Sequence, residues 1–127
     1  MKMKRILVVD DSDGWRKYHK QRLEKFDVEL TICECARDAY DKVFENVKTP
    51  YDLVITDLQM EEDFSPLYAG EWLVERVKEL NSRIPTLLVS ATFNIRTIAD
   101  NINSDYLPKA LAINNPEAYD IKIKEYI

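Results

Sequence analysis

Short apolar runs alternate with amphipathic stretches from one end of this chain to the other. No other feature of the sequence restricts the fold as much. Ile6-Leu7-Val8-Val9 and Leu53-Val54-Ile55 are short, β-branched and free of apolar–polar alternation. Such runs fit strands buried on both faces in the middle of a parallel sheet. Arg5–Asp10 reads as the first strand, followed by a helix with Trp15, Tyr18, Arg22 or Leu23, and Phe26 at helical spacing, capped by Ser12 or Asp13. Val28–Cys35 reads as a second strand and Arg37–Val47 as a second helix. After Thr49-Pro50 comes the strand that ends on Asp57, then an acidic loop, Glu61–Ala69, and a helix over Glu71–Leu80 with Trp72, Leu73, Val77 and Leu80 in register. Pro85 introduces a strand at Thr86–Ser90. Ile95–Ile102 reads as a short helix, Asp105–Leu107 as a short strand, and Asn115-Pro116 as the start of a last helix running to Ile127. Five β-α units with short connections predict an α/β fold: a doubly wound, five-stranded parallel sheet with right-handed crossovers.

The 127 residues are the size of one domain, so the reading is a single unit over 1–127 with no output domain. A net charge of −5 and the lack of any basic stripe argue against a nucleic-acid surface. Met1-Lys2-Met3-Lys4-Arg5 resembles the opening of a signal peptide. However, the apolar run behind it stops at Asp10-Asp11, too soon for a secretory core, and no stretch reaches membrane-spanning length. The expectation is a cytoplasmic protein with no membrane partner. Cys33 and Cys35, two apart on the second strand, read as small reduced side chains and not as a disulfide or zinc site.

In open α/β sheets, ligands and chemistry gather at the carboxyl ends of the strands. The first strand brings Asp10-Asp11 to that edge, the third brings Asp57, the fourth brings Ser90, and Lys109 follows the fifth. Singly, these residues are caps, turn residues or a solvated lysine. Together they are hard oxygen ligands suited to Mg²⁺, a carboxylate nucleophile, a hydroxyl donor and a cation for phosphoryl oxygens. That is the equipment for phosphoryl transfer onto a carboxylate.

At these residues the chain resembles the response-regulator receiver domain of two-component signalling. The resemblance rests on Ile6-Leu7-Val8-Val9-Asp10-Asp11-Ser12, on Asp57 with Met60, on Ser90-Ala91, and on Tyr106-Leu107-Pro108-Lys109. It implies a flavodoxin-like (βα)5 fold in which Asp57 is the phosphoacceptor for a histidine kinase or phosphotransfer protein. It also implies Mg²⁺ held by Asp11 and Asp57 with Asp10 assisting and the backbone carbonyl of Gln59 completing the set. Lys109 is then the residue that stabilises the phosphoryl group. Ser90 and Tyr106 become the switch that reshapes a face for a downstream protein, with the chain a monomer or weak dimer. On this resemblance the protein is a signalling phosphoacceptor and not an enzyme, acting only on its own phosphorylation state.

The chain departs from that pattern in places. Ala110 follows Lys109 where the family has proline, removing a device that aims the lysine. Met60 is followed by Glu61 instead of proline, and the run to Gly70 is longer than usual. Glu61, Glu62 and Asp63 could tighten metal binding, repel a donor or be a solvated loop, and the solvated loop is the expectation. Ser90 to Lys109 is short, which trims the intervening helix. Two further readings compete. One is a receiver-like interaction module with no phosphorylation in its cycle. The other, a phosphohydrolase, lacks the second acid it needs, because Gln59 stands there. With only Gly14 and Gly70, neither a P-loop nor a dinucleotide fingerprint exists.

Overall fold

The computed structural model describes residues 3–60 and 68–127; the expectation made for Glu61, Glu62 and Asp63 lies outside them. Five strands, β1 (Lys4–Val9), β2 (Val28–Cys33), β3 (Leu53–Thr56), β4 (Thr86–Ser90) and β5 (Asp105–Pro108), form one sheet in the order β2-β1-β3-β4-β5. Every pairing is parallel. The helices are α1 (Asp13–Leu23), α2 (Ala36–Glu45), α3 (Ala69–Leu80), α4 (Ile95–Asn101), α5 (Lys109–Asn114) and α6 (Pro116–Lys124).

The continuous apolar runs are explained by two-sided burial. Ile6 and Val8 of β1 face a core shared with Leu23 of α1, Ala112 of α5, and Tyr119 and Ile123 of α6. Leu7 and Val9, pointing the other way, join Ala39 and Val43 of α2 and Leu73 and Val77 of α3. A third cluster packs Leu88 of β4 against Ile95, Ile98 and Ala99 of α4, with Tyr106 at its margin. Each fully buried aliphatic side chain contributes roughly 1.5–3 kcal/mol, so the strands need no polar face.

Three expectations require correction. β2 ends at Cys33, since its pairing with β1 runs out at Val9, and Cys35 caps α2 instead of continuing the strand. Cys33 is buried and free, its thiol pushed up to about 11 chiefly by burial, which keeps it unreactive. The residues after β5, given no helix above, form α5 (Lys109–Asn114) at once after the strand; the chain then breaks at Asn115 (φ −142°, ψ 81°), because a residue before proline is driven out of the helical region, and the last helix starts at Pro116 as expected but ends at Lys124. Helix α3 starts at Ala69, two residues early, where the Glu71 carboxylate accepts a hydrogen bond from the Tyr68 N–H at 3.1 Å.

Candidate functional site

Sheet register sets the site. Val9 pairs with Thr56, so the next residues on the two strands, Asp10 and Asp57, emerge side by side at the carboxyl edge. Backbone bonds fix both: Asp57 N–H donates to Val9 O at 3.0 Å, and Asp10 N–H donates to Cys33 O at 3.2 Å. Ser12 caps α1 by accepting from Trp15 N–H at 3.3 Å, and its own N–H donates to Asp10 Oδ1 at 2.9 Å. Oxygens of Asp10, Asp11 and Asp57 come within 4.8 Å of one another.

Lys109 reaches this cluster. Its Nζ lies 3.0 Å from Asp57 Oδ2, to which it donates, and 3.0 Å from Asp10 Oδ2. Pro108 caps α5, which puts Lys109 at the first helical position with its side chain under the sheet edge, 8% exposed. The missing proline after Lys109 does not turn the side chain away. Asp57 Oδ1 accepts from Leu58 N–H at 2.7 Å, so each oxygen of this 6%-exposed carboxylate has one donor.

Asp10 is fully buried, and its Oδ2 has no hydrogen bond despite the nearby ammonium. Burial, and after it the charge of Asp57, push its carboxyl above the ordinary carboxylate value, against the pull of the Ser12 N–H and Lys109. Lys109 is shared between Asp57 and Asp10, so one ammonium serves two buried carboxylates. The orphaned Asp10 oxygen and the all-oxygen donor set therefore fit Mg²⁺.

The remaining predicted residues lie around this centre. Ser90, buried at the end of β4, shares a hydrogen bond with Thr92 Oγ1 at 2.9 Å and accepts one from Thr92 N–H at 3.2 Å. Tyr106 on β5 is half-buried against the α4 cluster. Gln59 follows Leu58 on the exposed side of the edge.

Sequence reasoning missed two supports. Gly70 presses on the site from behind: a Cβ there would stand 2.1 Å from Asp57 O and 2.8 Å from Leu58 Cα, while its N–H donates to Leu58 O at 3.0 Å. His19, 1% exposed, shares a 2.7 Å hydrogen bond with Tyr119 Oη that ties α1 to α6. The first role depends on a tertiary approach that sequence spacing does not encode. For the second, a histidine four residues from Trp15 on the apolar side of α1 was the available signal.

A doubly wound sheet of this order with clustered acids at its carboxyl edge and a lysine after β5 defines a signalling receiver. Residues 6–116 match the family described as response regulator receiver domain, and the chain belongs to that family. It is 32% identical over 110 residues to the two-component response regulator ARR11 of Arabidopsis thaliana, covering 84% of this chain and 20% of that protein. It is also 32% identical over 114 residues to the 3',5'-cyclic-nucleotide phosphodiesterase regA of Dictyostelium discoideum, covering 85% of this chain and 14% of that one. The chain thus spans a fifth or less of these two relatives. Among solved structures, the receiver domain of the histidine kinase CKI1 from Arabidopsis thaliana, complexed with Mg²⁺ and BeF₃⁻, superposes with a TM-score of 0.75 at 26% identity, over 96% of this chain and 89% of that one. A CheY-like receiver from Methanospirillum hungatei gives a TM-score of 0.77 at 24% identity, over 98% and 93%, and shares the fold. Receivers of this family typically bind Mg²⁺ in an acidic pocket and interact with histidine kinases or phosphotransfer proteins. Among the described residues no helix is long and apolar enough to cross a membrane.

Proposed function

We propose that this chain is a receiver domain that takes a phosphoryl group from a histidine kinase phosphohistidine onto Asp57 and passes the signal on by binding a downstream protein. The observation that carries the reading is the Lys109 ammonium, held 3.0 Å from both Asp57 Oδ2 and Asp10 Oδ2 in a chain that lacks the usual proline.

In the transfer, an Asp57 oxygen forms a bond to phosphorus as the P–N bond of phosphohistidine breaks. The electron pair leaves on the imidazole nitrogen. Asp11 and Asp57, with Asp10 behind them and the Gln59 carbonyl beside them, would hold Mg²⁺. When bound, the ion supplies charge neutralisation at the phosphoryl oxygens. Lys109 moves its ammonium from carboxylate to phosphoryl oxygen, so its charge stays paired throughout. Ser90 gives up Thr92 and donates to the phosphoryl group instead. Tyr106, half-buried beside α4, turns into the space Ser90 leaves. Asp57 promotes only its own phosphorylation and, through slow hydrolysis, its own return. A cytoplasmic setting, a monomer or weak dimer, and a protein as downstream partner complete the proposal.

The test is intact-protein mass after incubation with Mg²⁺ and a small acyl-phosphate donor, beside Asp57→Asn. A gain of one phosphoryl group in the wild type alone, lost with chelator, supports the reading. No gain from small donors or from a kinase, together with no Mg²⁺ binding, would establish a phosphorylation-independent interaction module instead.

A further inference from the structure

Lysine has four rotatable side-chain bonds, and an ammonium is readily drawn back into water. Something must hold Lys109 under the sheet edge here, where Ala110 replaces the rigid residue. Its two carboxylate partners are poor candidates for a constant hold. They are the same groups that would turn toward a metal ion and, at Asp57, toward phosphorus.

One further group touches the ammonium. The Trp15 ring on α1 lies with its centroid 4.8 Å from Lys109 Nζ, inside the distance at which an indole face attracts a cation. The ring is itself fixed. It packs on Tyr18 at 4.9 Å between centroids and on His19 at 6.0 Å. Tyr18 meets Tyr119 edge-on at 5.5 Å, and His19 is bonded to Tyr119 Oη. Tyr18 Oη donates to Ala112 O at 2.6 Å, in the same short helix that begins with Lys109. Helix α1 thus holds both ends of the lysine, its backbone through Ala112 and its charge through Trp15.

We propose that Trp15 is a positioning residue for Lys109, taking over in this chain the aiming that a following proline provides elsewhere. The proposal rests on the reading of Lys109 as the phosphoryl-stabilising cation. An indole face carries no net charge, so its hold on the ammonium does not lapse when the carboxylates acquire other partners.

The experiment compares Trp15→Phe and Trp15→Leu with wild type, each also combined with Lys109→Met. Phosphorylation by phosphoramidate is followed at saturating Mg²⁺, with urea midpoints measured in parallel. Loss of a partly desolvated cation–π contact predicts a phosphorylation rate about 3- to 30-fold lower in Trp15→Leu. Trp15→Phe, which keeps an aromatic face, retains most of the rate, and neither substitution slows a protein already carrying Lys109→Met. A second readout needs no metal and no donor. In a Trp72→Phe background Trp15 is the remaining tryptophan, and Lys109→Met must shift its emission. An unshifted emission, a Trp15→Leu rate equal to wild type, or the same slowing with and without Lys109 each overturns the proposal while leaving the Lys109 reading intact. A Lys109→Met protein that is phosphorylated like wild type overturns that reading and the proposal together.

Discussion

The chain contains two glycines, and alanine at each has opposite consequences. At Gly70 the added Cβ would stand 2.1 Å from Asp57 O and 2.8 Å from Leu58 Cα. These are backbone atoms, so no rotamer change relieves the contact; α3 or the Asp57–Leu58 peptide must move. Overpacking of this kind costs roughly 1–3 kcal/mol, against a gain of about 0.4–1 kcal/mol from a less flexible unfolded chain. At Gly14 the nearest atom in reach is Ser12 Oγ at 3.8 Å, and only the gain applies. Gly70→Ala is therefore expected to lose about 1–2 kcal/mol and Gly14→Ala to gain about 0.5, which for a domain of this size separates their midpoints by roughly 5–10 °C. Thermal unfolding reads the midpoints and urea denaturation with a constant m-value the free energies, and phosphorylation of Gly70→Ala should fall as well, since the displaced peptide carries Asp57. Equal stability of the two variants, or a stabilised Gly70→Ala, would refute the close approach of α3 to the phosphoacceptor peptide.

His19 is the single histidine of the chain. Burial, and after it the Lys109 charge, lower its value from about 6.5 to about 3. A lowered value means the stability it contributes is complete above pH 6.5 and lost progressively toward pH 3, with a slope of at most about 1.4 kcal/mol per pH unit. The stability difference between wild type and His19→Phe should show that slope between pH 6.5 and 5; a pH-independent difference contradicts it. Tyr119→Phe strands the His19 nitrogen and should cost about 1–3 kcal/mol, with a non-additive double variant; strict additivity would mean the bond contributes nothing. Burial raises the Asp120 carboxyl, but hydrogen bonds from Arg22 and Lys25 outweigh that and hold it below the ordinary value. Its contribution is present above the usual carboxylate range and fades as pH falls through the lowered value. Asp120→Asn should then cost about 1–2 kcal/mol at pH 7 and converge on wild type in acid, a convergence that pH-dependent unfolding either finds or excludes. By Mg²⁺ titration Asp11→Ala should weaken binding more than Asp10→Ala, and the reverse order would reassign the direct ligand.

How much of this was legible depends on whether the cause was local. Two-sided burial writes itself into Ile6–Val9 and Leu53–Ile55 as unbroken apolar runs, so the parallel sheet and its order of elements could be read directly. Asp10, Asp57 and Lys109 could be placed at one edge because strand ends are positions in a pattern. Helix α5 could not: Lys109 was placed only as following the fifth strand, and the helix that begins on it is visible only once Ala112 is seen buried in the same cluster as Tyr119. Cys35 was lost because a strand stops where its neighbour stops, at Val9, and nothing in Glu34-Cys35 marks that point. The commitment of Ser90 to Thr92 and the contact of Trp15 with Lys109 are meetings of groups that sequence order leaves unrelated.

The break at Asn115 has a mechanical consequence. Helix α5 is six residues long, less than two turns, and a helix that short stands on its neighbours' contacts and not on its own backbone bonds. Helix α6 is anchored separately, by Tyr119 to His19 and by Asp120 to Arg22 and Lys25. The interrupted chain therefore divides the work: α6 is pinned to α1 by its own bonds, while α5, tied to α1 at Ala112, is a mount for the lysine that takes its position from its neighbours and adds no stiffness of its own.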